Sequence, residues 1–146
     1  MTFTVEEELG RLRDEAAVSE VILHYARGLD QRRFEEVWRC FDADGYMIGT
    51  VGEGPVREYL PRLLDRVKTY GSTMHFLGNQ LRTVDGDRAT TETYGIAHHF
   101  IDARGTVEAL VVGVRYDDEL ERRPDGGWLI VKRRTETLWQ RQGETI

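Results

Sequence analysis

The sequence predicts an α+β fold in which three N-terminal helices pack on a mainly antiparallel sheet. Three observations carry this expectation. Apolar residues recur at helical intervals up to about Tyr70, long strand-like segments follow Gly71, and short Gly- and Asp-rich turns join those segments. Helices first and strands afterwards is the α+β order. Such a sheet hides one face beneath its helices, and if it curls, the two layers enclose a pocket.

The elements follow in order. Thr4 and Glu7 have capping-box spacing, and Val5, Leu9, Leu12, Ala16, Ile22 or Leu23, Ala26 and Leu29 then predict a helix to about residue 29. "RRFEEVWRCF" predicts a short second helix burying Phe34, Val37, Trp38 and Phe41. "DADG" reads as a turn, and Tyr46 to Gly49 as a short strand. "GPVREYLPRLLDRVKTY" predicts a third helix, with Pro55 near its first turn, where the missing N–H costs little. Pro61 lies inside it, where a kink is expected. The strands are "TMHFLGNQLRTV", "RATTETYGIAHHFID", "TVEALVVGVRYDDELER" and "WLIVKRRTETLWQ", separated by turns at "DGD", "ARG" and "PDGG".

Composition narrows the function classes. A chain of 146 residues, 40% apolar and 32% charged, suits a single globular domain over residues 1–146. The net charge is −6 and no basic run occurs, so nucleic acid is not expected as a partner. No apolar stretch is long enough to span a bilayer. The acidic, periodic N-terminus is unlike a signal peptide, and Cys40, the only cysteine, permits no internal disulfide. A cytoplasmic protein with no membrane partner is the expectation.

Polar residues on faces that should be apolar mark a pocket. In "TYGIAHHFI", Gly95, Ala97 and His99 share one face of a strand, and His98 takes the other. Gly95 and Ala97 leave room for a ligand or for a packed helix. Asp30, at the end of the first helix, is by itself a cap or turn residue, and His75, opening "HFLGNQL", is by itself a hydrogen-bonded core imidazole. Together, Asp30, His75 and His99 are the groups that move protons near neutral pH. A carboxylate on one imidazole nitrogen fixes the tautomer and raises the basicity of the other. Two histidines and a carboxylate are also a facial metal-binding set, but no H-x-D or H-E-x-x-H spacing supports a metal. "GTVGEG" lacks the spacing of a phosphate-cradling loop, no G-x-S-x-G elbow occurs, and Cys40 beside Phe41 reads as an inert packed thiol.

The pieces "LHYARGLDQRRFEEVWRCFDADGYMIG", "TMHFLGNQLRTVDGDRATTETYGIAHHF" and "ERRPDGGWLIVKR" resemble the SnoaL-like branch of the nuclear transport factor 2-like superfamily, which implies a cone-shaped α+β barrel with three N-terminal helices packed on a curved, mainly antiparallel sheet. Within that branch the pattern is similar to scytalone dehydratase, lindane dehydrochlorinase and bile-acid 7α-dehydratase, and the likeness runs from about Ala17 to Trp139. The resemblance implies a catalytic aspartate–histidine pair at Asp30 and His75. It also places a tyrosine at Tyr25 and a second catalytic histidine at His99, with His98 as its competitor. Tyr46 and Arg133 fall near positions that bind substrate in these relatives. Arg115 and Asp117 stand where scytalone dehydratase has a serine and an asparagine, so a different substrate is expected. The implied activity is that of a cofactor-independent dehydratase or isomerase on a small cyclic or polyketide-like molecule, in a homo-oligomer (dimer or trimer). The superfamily also holds polyketide (aldol) cyclases, non-catalytic ligand-binding members and oxygenase-associated subunits, and fold alone does not choose among them.

Overall fold

The computed structural model describes residues 2–143. Helix α1 (Val5–Asp30) starts at the Thr4–Glu7 capping box, in which each side chain bonds the other residue's backbone N–H. Only its C-terminal half is buried, through Val18, Ile22, Tyr25, Ala26 and Leu29. Val5, Leu9 and Leu12, expected on the core face, are exposed. Helix α2 (Phe34–Trp38) follows a tight turn and packs so closely that a Cβ on Gly28 of α1 would lie 2.7 Å from Val37.

Strand β1 (Phe41–Gly49) is longer than predicted. "DADG", expected as a turn ahead of the strand, lies within it. The segment forms an irregularity in the pairing with the last strand, between Phe41 and Tyr46, where Asp42 accepts the Asp44 N–H. Strand β2 (Gly52–Pro55) has no apolar alternation to announce it and turns back on β1. Helix α3 (Val56–Lys68) begins directly after Pro55 and carries Pro61 in its second turn. Strands β3 (Ser72–Asp85), β4 (Arg88–Phe100), β5 (Glu108–Arg122) and β6 (Trp128–Gln142) complete a six-stranded sheet of order β2-β1-β6-β5-β4-β3. All neighbours are antiparallel except β1 and β6, which run parallel.

The helices cover one face of this sheet. Val18 and Ile22 of α1, Leu60 and Leu64 of α3, Leu120 of β5 and Ile130 of β6 share one apolar core. At the C-terminal half of α1 this core gives way to a cavity, whose far wall is set by strand register. His75, Ala97, Val112 and Gln140 form one row across β3 to β6, and all four line the cavity. The opposite face carries Met74, Phe76, Ile96 and Trp139, all substantially exposed. Gly113 is needed there, because a Cβ would lie 2.1 Å from the Trp139 indole.

Candidate active site

The cavity has a volume of about 200 Å³ and lies between α1, α3 and the concave sheet face. Among the residues singled out from sequence, Tyr25, His75 and His99 line it, and Asp30 stands directly behind His75. His98 lies on the other face, where its Nδ1 meets Glu108 at 2.7 Å. Alternation along β4 separates the two adjacent histidines.

Asp30 ends α1 but does not act as a helix cap. Its Oδ2 accepts the backbone N–H of His75 at 2.7 Å, and its Oδ1 lies 2.7 Å from His75 Nδ1. The Thr73 hydroxyl donates to Oδ1 at 3.0 Å. Burial pushes the Asp30 carboxyl up, but these donors outweigh it, and its pKa lies below the ordinary carboxylate value. An ionised carboxylate only accepts, so Nδ1 of His75 carries the proton and Nε2 is the ring nitrogen left for the cavity. The His75 side chain is only 7% exposed, which shields this arrangement from bulk water.

Arg32 supports the pair from behind. Its guanidinium donates to Thr73 Oγ1 at 3.0 Å, to the Leu29 carbonyl at 2.7 Å and to the Tyr70 carbonyl at 3.2 Å. One side chain thus ties the ends of α1 and α3 to the start of β3. Its backbone has φ 57°, a left-handed conformation that costs a non-glycine residue about 1–3 kcal/mol. These bonds offset that cost. Neither Arg32 nor Thr73 carries a sequence signal, because the relationship depends on three segments meeting.

His99 lies beside His75, diagonally on the neighbouring strand of the same wall, with ring centroids 6.0 Å apart, and its ring packs against Tyr70 at 4.7 Å. Its Nδ1 faces the Leu110 carbonyl at 3.2 Å. A carbonyl accepts, so this nitrogen is protonated and Nε2 is bare. Burial, helped by the neighbouring His75, lowers the His99 pKa below its ordinary value and favours the neutral ring.

Tyr25 and Tyr116 are both 3% exposed and meet edge to face, with centroids 5.7 Å apart. Burial raises both phenols, Tyr25 well above the usual tyrosine value and Tyr116 to about 12. Both therefore keep their O–H and have a proton to donate. Tyr116 had no sequence signal beyond its alternation on β5.

Two expected substrate-binding residues lie elsewhere. Arg133 does not line the cavity; it is fully buried and bidentate on Asp118, at 2.7 and 2.8 Å. Its guanidinium stacks 4.1 Å from the Tyr25 ring centroid and 4.3 Å from that of Tyr116, so it props the tyrosines from the core side. Tyr46 is 39% exposed and bonds Glu53 at 2.9 Å, outside the cavity wall. The parity of β1 turns Tyr46 outward and Met47 inward. Gly95 does not line the cavity; beside it packs the Leu77 side chain, 3.0 Å from where a Cβ would lie. Arg115 and Asp117 pair with each other at 3.0 Å on the outer face of β5. Among the described residues, no three His, Cys, Asp or Glu side chains are grouped to hold a metal ion. No helix among them is long and apolar enough to cross a membrane.

Comparison with known proteins agrees with this architecture. The SnoaL-like domain family matches residues 10–134. An uncharacterized protein of Mycobacterium tuberculosis and another of Mycobacterium bovis are each 31% identical over 131 residues, covering 86% of both chains. Among solved structures, the hexachlorocyclohexane dehydrochlorinase LinA-type3 from Novosphingobium barchaimii superposes with a TM-score of 0.79 at 20% identity, covering 95% of this chain and 96% of that one. A candidate scytalone dehydratase from Novosphingobium aromaticivorans gives 0.76 at 20% identity, covering 98% and 94%. These likenesses show a common nuclear transport factor 2-like fold. With the family match spanning most of its length, this chain belongs to the SnoaL-like domain family.

Proposed function

We propose that the chain is a cofactor-independent lyase or isomerase of the dehydratase type, acting on a small, partly apolar cyclic or polyketide-like carbonyl compound. The observation that carries this is the Asp30–His75 pair, bonded at 2.7 Å with the free imidazole nitrogen left to a cavity. Nε2 of His75 removes a proton from the carbon next to the carbonyl, and Asp30 stabilises the imidazolium that forms. The C–H electron pair moves into an enolate, whose oxygen accepts from the Tyr25 and Tyr116 hydroxyls. Collapse of the enolate expels a β-substituent such as hydroxide, which leaves with the proton held by His75, or the carbanion is reprotonated at another carbon. His99, neutral and bare at Nε2, accepts a hydrogen bond from a substrate hydroxyl. An acid role for it is not favoured, because its one proton faces Leu110.

The cavity is below the ~300–1,000 Å³ that accommodates drug-sized ligands, so about 200 Å³ suits a molecule of roughly one ring. The dehydrochlorinase and dehydratase names of the structural neighbours are consistent with elimination chemistry. An aldol cyclase shares the first proton removal, and product analysis separates it from a dehydratase. We further propose a homo-oligomer in an intracellular setting. The exposed apolar face at Met74, Phe76 and Ile96 supports association, and a light-scattering mass of 16.9 kDa would refute it.

The test is turnover of a substrate found by screening small cyclic hydroxy-carbonyl compounds. His75→Ala and Asp30→Asn should each lose about 100-fold or more while keeping the far-ultraviolet spectrum of the wild type. Full activity in both variants would overturn the mechanism.

A further inference from the structure

At its solvent-exposed rim the cavity wall contains one permanently charged side chain, Arg66, which the mechanism above does not use. Helix α3 and the residues just after it present Tyr59, Leu63, Arg66, Val67 and Tyr70 to the cavity, a single helical stripe. Four of these five are apolar or aromatic, so the arginine breaks the pattern of its own face. Two other cations of α3 have carboxylate partners, Arg57 with Asp44 and Lys68 with Asp65, whereas Arg62, outside the cavity wall, donates to the Glu58 and Glu53 backbone carbonyls. Among the described residues, Arg66 forms no ion pair, and its only hydrogen bond is a long one, 3.3 Å, to the Thr50 carbonyl.

A cation in the last turn of a helix is favoured by the helix dipole, by about 0.3–1 kcal/mol. That explains a positive charge near the end of α3, but not its place in the cavity wall. The wall contains no aspartate or glutamate, and the charge of Arg66 is felt at His99, where it helps to hold the ring neutral. Besides its histidines and tyrosines, the wall's other polar side chains are neutral hydrogen-bonding groups, Thr50, Thr135, Thr137 and Gln140. A guanidinium stays charged at any working pH, and its planar fork matches a carboxylate.

We infer that the substrate carries a carboxylate, which Arg66 binds at the α3 side of the cavity while the reacting carbon lies toward His75. This rests on the cavity being the reaction chamber. It makes Arg66 the residue that selects an acid over its neutral counterpart, and it narrows the substrate class to small cyclic carboxylic acids. A single arginine among neutral hydroxyls and an amide suits one carboxylate better than a doubly charged phosphate, which draws on clustered cations.

Binding can be measured without turnover, so the result is separable from the catalytic reading. Benzoate and benzamide have the same shape and differ in charge. Each is titrated into the full chain at pH 7, with the ring resonances of His75 and His99 reporting occupancy of the cavity. The wild type should bind benzoate at least tenfold more tightly than benzamide. Arg66→Gln should reduce that preference below threefold with benzamide affinity unchanged, and Arg66→Lys should retain part of it. His75→Asn, which keeps a donor for Asp30, should retain the preference. The inference is overturned if the wild type shows no preference, if Arg66→Gln keeps it, or if His75→Asn alone abolishes it. Should the preference hold while His75→Ala stays fully active in turnover, the carboxylate site stands and the mechanism fails.

Discussion

Asp30 holds His75 twice, accepting the backbone N–H on Oδ2 at 2.7 Å and facing the ring Nδ1 with Oδ1 at 2.7 Å. One carboxylate therefore fixes both where strand β3 starts and which way the imidazole points. Asp30→Asn removes the charge that stabilises an imidazolium and offers a donor where the ring N–H needs an acceptor. Turnover should fall about 100-fold or more, with the effect in kcat rather than KM, as steady-state kinetics will show.

Thr73 and Arg32 act on this pair from outside the cavity. Thr73→Val removes one donor from Asp30 and one acceptor from Arg32. We expect a loss of about 1 kcal/mol in urea unfolding and a lowered kcat, with Thr73→Ser restoring both. An effect on stability alone would limit Thr73 to a structural role.

Acid should destabilise the protein in two windows. The His99 pKa is lowered on folding, so its contribution is complete above the unfolded value of about 6.5 and is lost as pH falls toward the folded value. Asp30 is also lowered, so its contribution is complete above the unfolded value of about 3.9 and is lost as pH falls through the folded one. Urea midpoints measured from pH 8 downward should decline first below about 6.5. His99→Gln should flatten that first decline and leave the lower one.

The Arg133–Asp118 pair is fully buried on both sides. Removing one partner strands a charge, and Asp118→Asn should cost about 3–5 kcal/mol. Replacing both, as Arg133→Met with Asp118→Leu, should cost less than the sum of the single changes. Because Arg133 also supports Tyr25 and Tyr116, variants that fold should show weakened turnover despite never touching substrate.

Cys40 is buried, with its thiol against the Val21 and Glu36 carbonyls, and burial pushes its pKa up to about 12. A thiol reagent at pH 8 should label it only on unfolding. Rapid labelling of the native chain would contradict that packing.

Much of the architecture is legible in the sequence because it rests on local rules. The capping box starts α1, Gly- and Asp-rich turns separate the long strands, and alternation puts His98 and His99 on opposite faces. What escapes is relational. The exposed N-terminal half of α1 has the same periodicity as its buried half, since periodicity does not say where the sheet ends. Strand β2 pairs through its backbone with little apolar pattern. Arg133 and Tyr46 sit on elements expected to reach the pocket, but the parity of β1 and the buried partner Asp118 decide where they point. Arg32, Thr73 and Arg66 gain their roles only when segments distant in sequence come together.

The central claim is that His75 presents an unprotonated Nε2 to the cavity because Asp30 holds the proton on Nδ1. Nitrogen-15 NMR of the histidine rings at pH 7.5 tests it directly. The account requires the Nδ1–H tautomer for neutral His75, with Asp30→Asn shifting the population toward Nε2–H. A wild-type ring found as the Nε2–H tautomer would leave no lone pair facing the cavity and would contradict the account.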